Sequence, residues 1–308
     1  MPTYNRMKTQ TVPGLEIKVP KATAFAYETE PMMLKSHQVC VVVGKRGSGK
    51  TLASVNLMNR MKYDRVFVVS PSVHSNRAMM DMLKIDPEDV YDVDDLDCID
   101  DIKAKIDAER DDYERYHEDM KKYREFMKKI HSDESIFSLD EDALMSFYRN
   151  GKFQKPVHKW NGRRPHMAVL FDDAMGSQLF TKGVRKLSKL SIYSRHLGQL
   201  KEGGALGVSL YFLVQSWKAQ VGGLTKAIRN QSTSLIIFKT ANEKELQDIQ
   251  ESCGGEVSKD TFYEVYNKAT DGEHNFLLVD MHYKKGIHPS PYRKNLNEFI
   301  VPDDFLKH

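Results

Sequence analysis

With 308 residues, 40% of them hydrophobic, and a formal net charge of +3, the chain has the length and apolar content for one large α/β domain, which excludes disorder throughout. Three widely spaced cysteines, Cys40, Cys98 and Cys253, without C-x-x-C spacing, exclude a disulfide framework or zinc knuckle and suit a reducing compartment. Neither the opening Met1-Pro2-Thr3-Tyr4-Asn5-Arg6 nor any later run is apolar enough for a signal peptide or a bilayer span, so a soluble protein is expected.

In chain order, residues 1–35 read as an N-terminal extension. The run Val39-Cys40-Val41-Val42-Val43 then predicts a strand, and directly behind it stands Gly44-Lys45-Arg46-Gly47-Ser48-Gly49-Lys50-Thr51. These eight residues match the G-x-x-x-x-G-K-[ST] phosphate loop. Its glycines permit the positive-φ turns that let backbone N–H groups close around a polyphosphate. Lys50 is expected to reach the β and γ oxygens and Thr51 to ligate Mg²⁺. The helix predicted from Lys50 to Met61 adds the positive end of its dipole. A nucleoside triphosphate is therefore the expected ligand.

Further apolar runs follow in the rhythm of a βαβ protein. Strands are predicted at Arg65 to Ser70, Met167 to Asp172, Val208 to Gln215 and Ser234 to Lys239, with helices near Asn76 to Lys84 and Asn242 to Glu251. The runs are continuous rather than alternating, as in a mostly parallel sheet covered by helices on both faces. Asn275 to Val279 reads as a late strand at the sheet edge, and the proline-bearing tail from Pro289 as a surface wrap. The expected fold is an α/β P-loop NTPase of the RecA/ASCE-like kind, its core spanning 36–90 and 151–285, with 286–308 as the tail.

Residues 91–150 differ in texture and read as an acidic helical insertion. Over 91–145 there are 19 Asp or Glu against 9 Lys or Arg, a net of −10, which leaves +13 for the rest. Ile99, Ile102, Ile106, Tyr113, Tyr116, Met120, Tyr123, Met127 and Ile130 alternate spacings of three and four, interrupted only by Glu109. That is a heptad stripe. A helix of about 30 residues, roughly 45 Å long, exceeds an ordinary crossover. Leu139, Leu144, Phe147 and Tyr148 are candidates for a returning helix. Two readings stand: an arm that docks another subunit, a capsid or a regulator, and an insertion folded back on its own domain, the second being favoured. A basic body attracts nucleic acid, although scattered solvating lysines give the same count.

The strand ending Leu170-Phe171-Asp172-Asp173 places two carboxylates beside the expected phosphate site. Asp172 suits the Mg²⁺ shell and Asp173 suits orienting or deprotonating an attacking water, which favours hydrolysis. Gln215, at the tip of the fourth strand, is a candidate sensor of the γ-phosphate and the water. Arg195 and Arg229 are candidates for stabilising charge on the transferred phosphoryl group. Acting on a neighbouring subunit's nucleotide, either would require a ring. His196 is expected to be a packing residue. Asn267-Lys268-Ala269-Thr270 lacks the aspartate of N-K-x-D, so guanine recognition is disfavoured and ATP is inferred by exclusion.

In this order, the phosphate loop, Val68-Val69-Ser70-Pro71, Leu170-Phe171-Asp172-Asp173, Ser194-Arg195-His196, Leu213-Val214-Gln215-Ser216 and Ile228-Arg229-Asn230 resemble the genome-packaging ATPases of double-stranded DNA viruses, the poxvirus- and virophage-type branch of the FtsK/HerA superfamily. The resemblance covers roughly 36–242. It implies an ATP- and Mg²⁺-dependent translocase of double-stranded DNA that works as a homomeric ring, pentamer or hexamer, with capsid proteins as partners, in the host cytoplasm, viral factory or virion. Carried across, Lys50 and Thr51 bind phosphate and Mg²⁺, Asp172 is the Mg²⁺ aspartate, Gln215 the sensor, and Asp173 replaces the glutamate common in cellular relatives. Two departures stand out: the heptad segment, and Gly198 to Ala205, longer than the family pattern, which reads either as a DNA-facing loop with Lys201 on a phosphate or as an inert surface loop. Competing readings are a helicase or conjugation-type translocase, a nucleotide-gated capsid assembly factor and, more distantly, a small-molecule kinase.

Overall fold

The predicted apolar runs become the centre of one sheet. A computed structural model of the protein describes residues 27, 29–72, 77–131, 147–149, 152–219 and 221–305. Its strands are β1 (Val39–Val43), β2 (Arg65–Val69), β3 (Val90–Tyr91), β4 (Tyr148–Arg149), β5 (Lys152–Phe153), β6 (Met167–Asp172), β7 (Ser209–Val214), β8 (Ser234–Phe238), β9 (Phe276–Asp280), β10 (Tyr292–Lys294) and β11 (Glu298–Ile300). The α-helices are α1 (Lys50–Met61), α2 (Arg77–Leu83), α3 (Cys98–His131), α4 (Gln178–Thr181), α5 (Val184–Tyr193), α6 (Lys226–Gln231), α7 (Glu243–Cys253) and α8 (Lys259–Ala269).

Nine strands form a sheet in the order β11-β10-β9-β8-β1-β7-β6-β2-β3. From β8 to β3 every pairing is parallel. β9, β10 and β11 continue it antiparallel. Alternate side chains of each central strand enter different layers. Val39, Val41 and Val43 join one core with Phe171, Phe212 and residues of α3, α5 and α8. Cys40 and Val42 join the other, against Val55, Leu57 and Met58 of α1. Both faces are dry, so the runs read as continuous rather than alternating. Each such side chain contributes roughly 1.5–3 kcal/mol by leaving water. Phe171 and Phe212 stack across β6 and β7 with centroids 4.9 Å apart and planes 6° from parallel.

Several expectations are corrected. β9 is an interior strand, because β10 and β11 lie outside it. The tail is therefore part of the sheet rather than a surface wrap: Tyr292 and Arg293 are 1% exposed, and Arg293 donates to the carbonyl of Met32. The boundary expected at residue 91 falls within β3, and Ile99, Ile102 and Ile106 of α3 are fully buried in the core. α3 begins as a core helix and only then runs onward, to 34 residues.

Glu109, the break in the heptad stripe, is what ties α3 to the body. Arg65 donates to Glu109 at 2.8 Å and to both oxygens of Asp89 at 2.6 and 2.8 Å. The Trp160 indole donates to the other Glu109 oxygen at 2.6 Å, and Lys105 reaches Asp89 at 3.2 Å. Farther along, Lys201 is claimed by Glu118 at 3.3 Å and its N–H by Glu114 at 2.7 Å. The Gly198 to Ala205 loop thus holds α3, and Lys201 is spent on the chain's own acidic face. Phe147 packs on Tyr123 and Phe126 of α3, but Tyr148 belongs to the β4–β5 pair rather than to a returning helix. Leu139 and Leu144 lie outside the described residues. The segment folds back on its own domain wherever it is described.

Candidate nucleotide site

Sheet topology decides what can meet at the phosphate loop. β7 lies between β1, which carries the loop, and β6, which carries the aspartates. The tips of three adjacent parallel strands therefore deliver Gly44 to Thr51, Gln215, and Asp172 with Asp173 to one edge. The Gly44 N–H donates to the Val214 carbonyl at 3.1 Å, which fixes the loop to that inserted strand.

Loop geometry requires glycine at three positions, Gly47 among them with φ 77°. A Cβ on Gly44 would come within 2.6 Å of Ser48 Oγ and 3.0 Å of Phe238. Gly49, the residue before α1, has φ 99°, a region L side chains avoid. From there α1 directs its first N–H groups, which have no intrahelical acceptor, into the loop's concavity. The buried Ser48 Oγ has no partner among the described residues. A polyphosphate supplies acceptors for such groups, so the loop fits that ligand.

Lys50 Nζ donates to the carbonyls of Gly44 at 2.7 Å and Lys45 at 3.1 Å. Partial burial lowers its pKa, opposed by the charges of Asp172 and Asp173. Thr51 Oγ1 donates to Asp172 Oδ2 at 3.0 Å. Asp172 is 8% exposed. Burial raises its pKa, the Thr51 hydrogen bond lowers it, and the neighbouring Asp173 charge raises it again. A hydroxyl and a carboxylate oxygen meeting beside the phosphate loop suit Mg²⁺, which binds hard oxygens and shares its shell with nucleotide phosphates. Bound there, Mg²⁺ would neutralise phosphate charge.

Gln215 Nε2 donates to Asp173 Oδ1 at 3.3 Å. Asp173 itself has φ 51°, an uncommon conformation for a non-glycine residue, though one that Asp and Asn tolerate better than most. The backbone departs from β6 at the point where its last carboxylate must turn toward Gln215. All five of Lys50, Thr51, Asp172, Asp173 and Gln215 line a single cleft of about 600 Å³. Apolar lining is added by Leu52 and Val55 of α1 and Ala78, Met79 and Met82 of α2.

The two arginines stand elsewhere. Arg195 is exposed in a 3-10 turn and borders a small cavity with Gln38, Thr233 and Ser234, where β1 and β8 begin, opposite the loop that follows the end of β1. Arg229 lies on α6, donates to the Leu224 carbonyl, and sits over the Trp217 ring at 5.9 Å. Neither lines the nucleotide cleft of its own chain. His196 is exposed rather than packed. One neighbour of the loop had no signature in the sequence: His274, before β9, whose Nδ1 lies 3.2 Å from the Ser48 carbonyl. It arrives only through the antiparallel return of β9 beside β8.

A phosphate loop on β1, an inserted strand and a second strand ending in paired aspartates define the class: this is a P-loop NTP hydrolase fold with an additional central strand. Among solved structures, the chain is similar to the genome packaging NTPase B204 from Sulfolobus turreted icosahedral virus 2. In the complex with AMPPCP the TM-score is 0.43 and the identity 14%, over 88% of this chain and 100% of that one. With ATP-gammaS the values are 0.36 and 12%, over 82% and 94%. It is also similar to the pCW3 conjugation coupling protein TcpA, with a TM-score of 0.38 and 15% identity over 87% of this chain and 62% of that one. No protein-family model and no curated protein matches the chain.

Proposed function

We propose that the protein is an ATP-driven translocase of double-stranded DNA that packages a viral genome into its capsid, hydrolysing ATP as a homomeric ring. The observation that carries the reading is the convergence of the Thr51–Asp172 pair and the Asp173–Gln215 pair on one cleft, from strand tips in the order loop, sensor, carboxylates. That arrangement suits hydrolysis rather than binding alone. Asp173 accepts a proton from the attacking water or orients it, and the Gln215 amide bridges that carboxylate and the γ-phosphate. Lys50 meets the phosphate oxygens, and Asp172 with Thr51 holds Mg²⁺. The apolar lining of Met79 and Met82 receives adenine. The motif order and the +13 charge outside residues 91–145 supply the DNA side of the proposal. Arg195 and Arg229, being outside the cleft of their own chain, act on a neighbour's nucleotide or not on nucleotide at all.

A translocation assay separates this reading from its rivals. A third strand annealed on a long duplex should be stripped by the protein with ATP and Mg²⁺, while the two strands of a forked duplex stay together. Displacement of the forked duplex instead would identify a helicase. Failure of both, with negligible turnover, would leave a nucleotide-gated assembly factor and end the motor proposal.

A further inference from the structure

The loop that leaves β7 borders two cavities. Gln215 lines the nucleotide cleft; two residues on, Trp217 lines a separate cavity of about 820 Å³, with no lining residue in common. Basic and polar side chains dominate this second cavity: Lys218, Lys226, Arg229, Asn230 and Ser252, against a single lining acid, Glu251. Trp217 is 1% exposed, yet its indole N–H has no partner among the described residues. A buried N–H left without an acceptor is unfavourable, so an acceptor at this position would be stabilising. Arg229 is half-buried beside it, and its described hydrogen bond is a single donation to the Leu224 carbonyl. Burial lowers the Arg229 pKa, with only the charge of Asp248 opposing the shift. Asp248 is in turn paired with Lys218 at 2.6 Å. A half-buried guanidinium with no bonded carboxylate among the described residues, and an indole N–H with no acceptor among them, thus belong to two residues that line one cavity.

We propose that this cavity is a second oxyanion site, which binds one phosphate group through the Trp217 indole, the Arg229 guanidinium and the Lys226 ammonium. A planar guanidinium and a fixed N–H match phosphate oxygens, and the polar rim leaves the anion partly hydrated. The same chemistry is presented by a nucleic-acid backbone and by free phosphate. The first source rests on the translocase reading above; the second does not. In either case the ligand sits on the segment that carries Gln215. Occupancy is thereby linked through two residues of backbone to the group that contacts Asp173.

The test uses the full chain carrying Lys50→Ala, so that the phosphate loop is disabled as a retained-anion site. Inorganic phosphate and a short DNA duplex are titrated separately and against each other. Bound phosphate is counted by equilibrium dialysis and indole emission is followed, with Trp217→Phe as the control that assigns the signal. Phosphate should bind, and Arg229→Gln in the same background should weaken it roughly ten- to hundredfold, as expected for loss of hydrogen bonds to a charged group. Lys226→Gln, a surface change that leaves folding intact, should weaken it less and reduce the salt slope of duplex binding by about 0.9. Competition between duplex and phosphate assigns the backbone as the source; phosphate binding without competition assigns free phosphate. Absence of bound phosphate, or binding that survives both Arg229→Gln and Lys226→Gln, overturns the site. DNA-stimulated turnover is measured separately on the unmodified chain, so failure of the translocase reading is distinguishable from failure of the site.

Discussion

Asp173 carries both the charge proposed for chemistry and a backbone conformation that few residues accept, and substitutions can separate the two. With φ 51° it lies in the left-handed region, where Asn is about as comfortable as Asp and Ala costs about 1–2 kcal/mol. Asn also keeps an oxygen to accept the Gln215 amide, now at 3.3 Å. Asp173→Asn should therefore leave unfolding free energy within about 0.5 kcal/mol of the parent, while turnover falls about 10²- to 10⁴-fold through loss of the base. Asp173→Ala should lose the same activity and also about 1–2 kcal/mol of stability. Removing the charge further relieves Asp172, whose pKa the neighbouring carboxylate raises, so Mg²⁺ affinity should persist to lower pH. Steady-state ATP hydrolysis and urea unfolding on the three proteins measure both effects. Full turnover in Asp173→Asn would refute the assignment of the base. Equal stability of the Ala and Asn variants would refute the backbone argument.

Arg65→Met removes the cation between two buried carboxylates. Because Lys105 and the Trp160 indole remain to hold Asp89 and Glu109, the loss should fall near the lower end of the usual range, about 3 kcal/mol by denaturant titration. Asp280 is 3% exposed, and burial, its largest influence, pushes its pKa up to about 6. A carboxyl whose pKa rises on folding stabilises most below its unfolded value. That stability is lost as pH rises from about 4 through about 6. Asp280→Asn should therefore raise Tm more at pH 7.5 than at pH 4.5, the difference corresponding to at most about 3 kcal/mol. For the arginines, Arg195→Ala and Arg229→Ala subunits are each mixed with Lys50→Ala subunits. Recovery of ATPase activity in one mixture is expected for an arginine acting across a subunit boundary, and recovery in neither removes that role from both.

The parallel core was legible because burial on both faces writes continuous apolar runs: β1, β6 and β8 begin where Val39, Met167 and Ser234 suggested. The cleft was legible too, since the loop spacing and the residues closing two strands converge once β7 is seen to be inserted between them. Two- and three-residue strands such as β3 and β10 left no period to read, and Tyr292 looked like part of a tail. The arginines show a different limit. Order along the chain gives no depth in the sheet, so Arg195 and Gln215, twenty residues apart, were grouped although they stand at opposite ends of β7. Glu109 looked like a flaw in a heptad stripe because its partners, Arg65 and Trp160, come from distant segments. His274 was invisible for the same reason.

The central claim is that this cleft hydrolyses ATP in service of movement along duplex DNA. Its most direct measurement is the ATPase rate of the full chain with Mg²⁺ at low salt, with and without long double-stranded DNA, where phosphate contacts are strongest. A clear stimulation that is abolished by Lys50→Ala is predicted. A rate indifferent to DNA at low salt would contradict it.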